Sequence, residues 1–211
     1  MKTLKIPEAT IIRLSMYSRY LSQVEERGVQ MISSGEIAEG VGVSPAHVRK
    51  DLAYFGEFGT RGVGYNVDEL QHHILNILRL NREWRVVIVG AGHLGSALAM
   101  YRGFGERGFH LVGIFDSDPA KIGRKYDDIA VQPIEELAQT VKEKQVGIGI
   151  ITVPATVAQE VADILVNSGV DALLNFAPCV LSLPPRIELR NVDLSVNLEV
   201  LTFNLGSRGK L

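Results

Sequence analysis

The chain has 211 residues, 46% of them apolar and 22% charged, with a formal net charge of −2. That is ordinary globular composition, which excludes disordered, collagen-like and disulfide-scaffold classes. No apolar run reaches the ~20 residues that span a bilayer. MKTLKIPEAT has no apolar core for a signal peptide, and the lone Cys179 cannot pair internally, so a cytoplasmic setting without membrane attachment is expected. Charge is balanced: residues 1–80 carry nine Lys/Arg and nine Asp/Glu, and residues 81–211 thirteen and fifteen. Any contact with DNA must therefore come from a local cluster.

The first 80 residues read as helices followed by a glycine-rich hairpin. Pro7 suits a first helical turn, and Ile11, Leu14, Leu21 and Val24 keep a helical stripe until Gly28. Ser33 and Glu36 have capping-box spacing for a second short helix that buries Ile37, Ala38 and Val41. A third helix is expected from the N-cap Ser44, with Pro45 in its first turn, to about Phe55. EFGTRGVGYNV then reads as a two-stranded hairpin, and residues 67–80 as a further helix.

After the polar joint Asn81-Arg82-Glu83 the pattern changes. Strands are expected at 85–89, 110–115, 146–152 and 171–176, with a weaker one at 192–196. Helical stretches lie near 94–103, 133–144 and 156–168. Val/Ile runs such as VVIV and IGII suit strands buried on both faces of a parallel sheet. The expected class is α/β, with domains at 1–80 and 81–197 and a terminal helix within 198–211.

The strand RVVIV feeds into GAGHLG, residues Gly90, Ala91, Gly92, His93, Leu94 and Gly95. In a dinucleotide fold Gly90 makes the tight turn, Gly92 lets a pyrophosphate approach the backbone, and Gly95 allows helix to pack on sheet. The helix N-terminus offers free N–H groups to the phosphates. Asp116 ends the next strand, 21 residues after Gly95, where an acidic side chain accepts ribose hydroxyls and repels a 2′-phosphate. NAD(H) is thus expected over NADP(H), with Asp118 as a plain turn residue. Thr152, Pro154 and Phe176 follow two further strands and are candidates for the nicotinamide end. Strand termination by proline explains those loops equally well.

A dehydrogenase needs a proton donor or acceptor beside the nicotinamide. Here His47, His72 and His73 lie in the first half, His93 sits in the glycine turn and His110 starts a strand. No catalytic residue and no metal-ligand spacing emerges, so an enzyme is not expected. A small NAD-dependent oxidoreductase and a CoA- or nucleotide-binding module remain the alternatives.

Three helices and a glycine hairpin describe a winged helix-turn-helix. Val48, Leu52 and Phe55 share one face of the third helix, which leaves Ala46, His47, Arg49, Lys50 and Tyr54 on the other. Arg49 and Lys50 suit phosphates or guanine edges, Ser44 a backbone phosphate, and Arg61 at the hairpin tip a minor groove. A solvated charged face around Arg49-Lys50-Asp51 is the bland alternative.

The strings SPAHVRKDLAYFGEFGTRGVGY, VIVGAGHLGSALA, FDSDPAKIG and LLNFAPCVL, in this order, resemble the Rex family of redox-sensing transcriptional repressors. The resemblance spans nearly the whole chain. It implies a homodimer on an inverted-repeat, double-stranded operator, released by NADH, with NAD+ competing for the same site. It also implies that a C-terminal helix, about 198–205 here, is exchanged between subunits, and that Arg19, Tyr101 and Asp193 form a polar switch across them.

Overall fold

The computed structural model describes residues 6–60 and 62–207, and the chain divides after Arg82 into two compact units. In the first, α1 (Glu8–Glu26), α2 (Ser34–Val41), α3 (Pro45–Ala53) and α4 (Val67–Ile77) surround a core of Leu14, Tyr17, Leu21, Ile37, Val48, Leu52, Leu70 and Ile74. Pro7 caps α1 from outside the helix rather than entering its first turn. Both components of the Ser33–Glu36 capping box form, and Gly42, at φ +72, makes the turn between α2 and α3. β1 (Met31–Ile32), β2 (Gly59–Thr60) and β3 (Gly64–Asn66) make an antiparallel sheet in the order β1-β3-β2. The two-residue β1 is too short to show alternation in sequence, so the expected hairpin gains a strand. α3 stops at Ala53, short of Phe55, and α4 at Ile77.

The second unit is a seven-stranded sheet in the order β10-β9-β8-β4-β5-β7-β6. Its strands are β4 (Trp84–Val89), β5 (Phe109–Asp116), β6 (Lys125–Tyr126), β7 (Ile129–Pro133), β8 (Ile148–Ile151), β9 (Ala172–Asn175) and β10 (Glu188–Asn191). All neighbours are parallel except β6 and β7. Helices α5 (His93–Ala99), α6 (Leu137–Glu143) and α7 (Ala155–Ser168) connect the strands, and α8 (Leu194–Gly206) ends the described chain. From β4 the chain runs outward through β5 and β7, then returns to β8 on the opposite side of β4. The strand order therefore reverses beside β4, which is where an open parallel sheet forms its ligand crevice. One sheet face packs Val87, Val89, Phe115, Ile151 and Leu173 against Leu137, Val161 and Leu165. The other keeps an apolar hollow of about 280 Å³, lined by residues including Val86, Phe109, Leu111, Ile148 and Leu174.

Two expectations are corrected here, and the hairpin β6–β7 adds a feature that the sequence pattern does not predict. Residues 192–196 are not a strand: Asp193 caps α8, which starts at Leu194, four residues before the expected helix. The strand is Glu188–Asn191, whose charged ELRN sequence suits its place at the sheet edge. The hairpin β6–β7 carries no long apolar run, and it turns at Asp127 with φ +49. Finally, α5 ends at Ala99, ahead of the expected residue 103.

Candidate functional site

The carboxyl ends of β4, β5 and β8 wall a cleft of about 910 Å³, lined by Gly90, Gly92, Asp116, Thr152 and Pro154 among others. Three glycine properties shape it. Gly90 has φ +103, and a Cβ there would come within 2.7 Å of the Thr152 carbonyl. A Cβ at Gly95 would run into the Gly90 carbonyl, so only glycine lets α5 lie this close to the turn. Gly92 has open space where its Cβ would stand, which leaves its backbone accessible. The Thr152 hydroxyl donates to the carbonyls of Gly90 (2.8 Å) and Val89 (3.0 Å), tying the glycine turn to the end of β8.

Asp116 is only 8% exposed and lies at the cleft. Its Oδ2 accepts from the Ala91 amide (2.7 Å) and Lys121 Nζ (2.9 Å), and its Oδ1 from the Asp118 amide (2.9 Å). Burial pushes this carboxyl up, but the Asp118 amide, Lys121 and the Ala91 amide outweigh it and hold it below the ordinary range. A carboxylate offers about four acceptor positions, so roughly one remains for a ligand hydroxyl while Lys121 stays in place. The sequence reading missed Lys121. Its signal was the run Asp116-Ser117-Asp118-Pro119-Ala120-Lys121: Asp116 accepts from the Asp118 amide and Asp118 from the Ala120 amide, which curls the loop back. Asp118, expected as a turn residue, fills that role.

Of the remaining candidates in this unit, Ala91 supplies the amide that Asp116 receives. His93 and Leu94 open α5, with Leu94 37% exposed. Phe176 lies outside the cleft lining, on the other sheet face with Val86, Ile88 and Ile150. Tyr101 is 54% exposed and packs edge-on against Phe104, with ring centroids 5.1 Å apart. Asp193 accepts from the Ser195 hydroxyl (2.6 Å) and amide (2.9 Å), and these bonds hold its carboxyl below the ordinary range.

In the first unit, α3 presents Ser44, Ala46, His47, Arg49 and Lys50 to solvent, with Tyr54 half-buried at its end. Ser44 Oγ lies 2.9 Å from His47 Nδ1 and accepts the His47 amide, so cap and side chain hold each other. Arg49 Nη1 donates to Ser34 Oγ (2.9 Å), which aims the guanidinium across the turn toward α2. A groove of about 740 Å³ runs between α3 and the small sheet, with Arg49, Phe58 and Tyr65 in its wall. Arg61 lies outside the described residues, and Arg19 is exposed on α1.

Asp51 corrects the picture of a solvated charged face. It points inward from α3, 1% exposed, and accepts from Thr10 Oγ1 (2.9 Å), Arg13 Nε (2.6 Å), Arg13 Nη2 (2.7 Å) and Tyr17 Oη (2.8 Å). Burial opposes its charge, but bonds from Arg13, Tyr17 and Thr10 outweigh the burial and keep it ionised. The bond to Asp51 in turn raises the Arg13 pKa further. This cluster fixes α3 against α1 from beneath, while the charged residues beside Asp51 face solvent.

No cluster of three His, Cys, Asp or Glu side chains among the described residues could hold a metal ion. No helix among them is long and apolar enough to cross a membrane. Fold and site together define a class: a winged-helix DNA-binding unit followed by a dinucleotide-type Rossmann unit.

Family models agree with this division. The model "Putative DNA-binding protein N-terminus" matches residues 5–53, and "CoA binding domain" matches residues 81–179. The chain is 64% identical over 208 residues to the redox-sensing transcriptional repressor Rex of Desulfitobacterium hafniense, covering 99% of each chain. It is 61% identical to that of Desulforamulus reducens, covering 100% of each. Among solved structures, RSP in complex with β-NAD+ and operator DNA superposes with a TM-score of 0.91 at 39% identity, over 98% of this chain and 95% of that one. RSP with β-NADH gives a TM-score of 0.85 at 38% identity, over 99% and 97%. The chain belongs to the Rex family of redox-sensing transcriptional repressors. With that membership it is a transcriptional regulator and not an enzyme.

Proposed function

We propose that the chain binds an inverted-repeat operator as a cytoplasmic homodimer, holds NADH or NAD+ in the cleft, and leaves the DNA when NADH is bound. The observation that carries this reading is the full-length similarity to RSP, whose structures contain operator DNA with β-NAD+ in one case and β-NADH in another. In this reading the turn from Gly90 to Gly95 takes the pyrophosphate, Asp116 the adenosine ribose, and the loop Thr152–Pro154 the nicotinamide end, with Phe176 met only past the cleft lining, at the carboxyl end of β9. Ser44, Ala46, His47, Arg49, Lys50 and Tyr54, with Arg61 from the wing, meet the DNA.

Dimer formation is supported by α8. None of its residues is buried, and Leu194, Leu198, Leu201, Phe203 and Leu205 are 50–74% exposed. Large apolar side chains lose about 25 cal/mol for each Å² left in water, so a helix of this kind stands to gain from a cover. Exchange of α8 between subunits supplies one, and it brings Asp193 into a switch with Arg19 and Tyr101 that involves both copies.

A ligand shifts an equilibrium only through its difference in affinity for the two states. NADH and NAD+ differ by a hydride and the ring charge, so discrimination resides where the nicotinamide sits. Anisotropy titration of a labelled inverted repeat at fixed salt tests the reading. NADH is expected to release the DNA and NAD+ to leave it bound. Equal effects of the two, or no specific binding, would overturn it.

A further inference from the structure

The carboxyl ends of four neighbouring strands are linked by a row of backbone bonds. The Thr152 amide donates to the Val89 carbonyl (2.9 Å), the Phe176 amide to Ile151 (2.9 Å) and the Val192 amide to Asn175 (2.8 Å). The row begins at the cleft wall and ends one residue before Asp193, the cap of α8. A side-chain link runs beside its last step. Asn175, fully buried, accepts the Ala177 amide on Oδ1 (2.9 Å), which forces its Nδ2 to face acceptors. Nδ2 donates to the Ala177 carbonyl (3.0 Å) and to Asn191 Oδ1 (2.9 Å), and lies 3.4 Å from the Cys179 carbonyl. Asn175 and Asn191 are also register partners in the β9–β10 pair. One amide thus shapes the turn after β9 and holds the residue two positions before the α8 cap.

We propose that the Asn175–Asn191 amide pair is the mechanical link between the cofactor end of the sheet and α8. A displacement of the turn after β9 moves Asn175 Nδ2, which carries Asn191 and the Asp193 cap with it. Without the pair, the edge strand β10 follows through its backbone bonds alone, and the orientation of α8 is less strictly tied to what occupies the cleft. The inference rests on the functional reading above, in which cleft occupancy alters DNA affinity.

The test uses the full chain and reads the coupling factor, the ratio of operator affinities without and with saturating NADH. By linkage it equals the ratio of NADH affinities without and with operator, and such factors run from about 5- to 150-fold. Asn191 is exposed on the edge strand, so its substitution is tolerated by the core. Asn191→Ala is expected to keep NADH affinity in free protein and operator affinity without NADH, while the coupling factor falls severalfold. Asn191→Asp keeps the acceptor that Asn175 Nδ2 requires and is expected to restore most of the factor.

Undiminished coupling in N191A would overturn the proposal, as would equal loss in N191A and N191D. Should N191A lose NADH binding altogether, Asn191→Ser, too short to reach Nδ2, replaces it under the same criteria. An unsubstituted chain with a coupling factor of one would instead defeat the functional reading itself. That failure is visible before any variant is compared.

Discussion

Three helices of the first unit close their N-termini with side chains: Ser33 for α2, Ser44 for α3 and Asn66 for α4. In the second unit neither α5, entered from Gly92, nor α7, entered from Pro154, has a side-chain cap, and both entry residues line the cleft. The first turns of a helix leave N–H groups without intrahelical partners, so the contrast concerns where those donors are spent. The same contrast separates the two buried aspartates. Asp51 takes all of its side-chain bonds from a neighbouring helix, whereas Asp116 is held by its own loop and the adjacent glycine turn and keeps one edge on the cleft. A buried carboxylate is therefore informative only together with what its remaining edge faces.

The largest effect is expected where every partner is structural. Asp51→Ala leaves Arg13 and Tyr17 without their acceptor, and breaking a buried pair by removing one member costs about 3–5 kcal/mol. Urea unfolding reads this directly. Operator binding is expected to fail while NADH affinity, followed by nicotinamide fluorescence, stays within about twofold, a difference of under about 0.5 kcal/mol. If NADH affinity fell in parallel, the separation between the two aspartates would be lost.

The pH dependence has a definite sign. Asp51 and Asp116 are both held below the ordinary 3.8. A carboxylate with a depressed folded pKa stabilises the fold at pH values above its unfolded pKa, and that contribution is lost as pH falls toward the folded pKa. Acid unfolding is thus expected to steepen below about pH 4, close to the unperturbed Asp value. Asp51→Asn should flatten that part of the profile. An unchanged profile would mean that Asp51 gains no charge-dependent stability from its partners.

Asp116→Asn is expected to act on binding before stability. Hydrogen bonds to a charged group contribute about 1.5–3 kcal/mol, which corresponds to roughly a 10- to 150-fold loss of NADH affinity. The shift in urea midpoint should be smaller than for Asp51→Ala, because the Asp116 partners are local. Isothermal titration with NADH checks the first part. Retained affinity would assign Asp116 to loop structure alone.

Much of this was legible in the sequence because the signals are local. The capping box, the Ser44–Pro45 helix start and the glycine turn each span a few residues, and the strand–turn–helix order gave the Rossmann half. Long-range features were not legible. Asp51 is 41 residues from Thr10 and 38 from Arg13, so nothing local in the RKD run separates the inward Asp51 from the outward Arg49 and Lys50. The Asn175–Asn191 pair joins positions 16 apart through parallel-strand register. The last strand was misplaced because an edge strand need not be apolar, while VDLSV looks like one and is the capped start of α8.

The smallest expected effect tests the capping contrast. Ser33 Oγ accepts the Glu36 amide (3.2 Å), and Glu36 Oε2 accepts the Ser33 amide (2.8 Å). The Ser33 hydroxyl and amide together hold the Glu36 carboxyl below the ordinary range. Ser33→Ala removes one half of the box, and losing an N-cap costs about 1 kcal/mol. Gly92 offers the converse experiment: Gly92→Ser places a side-chain oxygen at the start of α5, where it can accept the amides that the cleft otherwise holds open. If caps serve scaffold and their absence serves the ligand, Ser33→Ala lowers the urea midpoint and leaves NADH affinity alone. Gly92→Ser then weakens NADH while leaving the midpoint level or raising it. Equal tolerance of a cap at both positions would show that the contrast between the two units is incidental to binding.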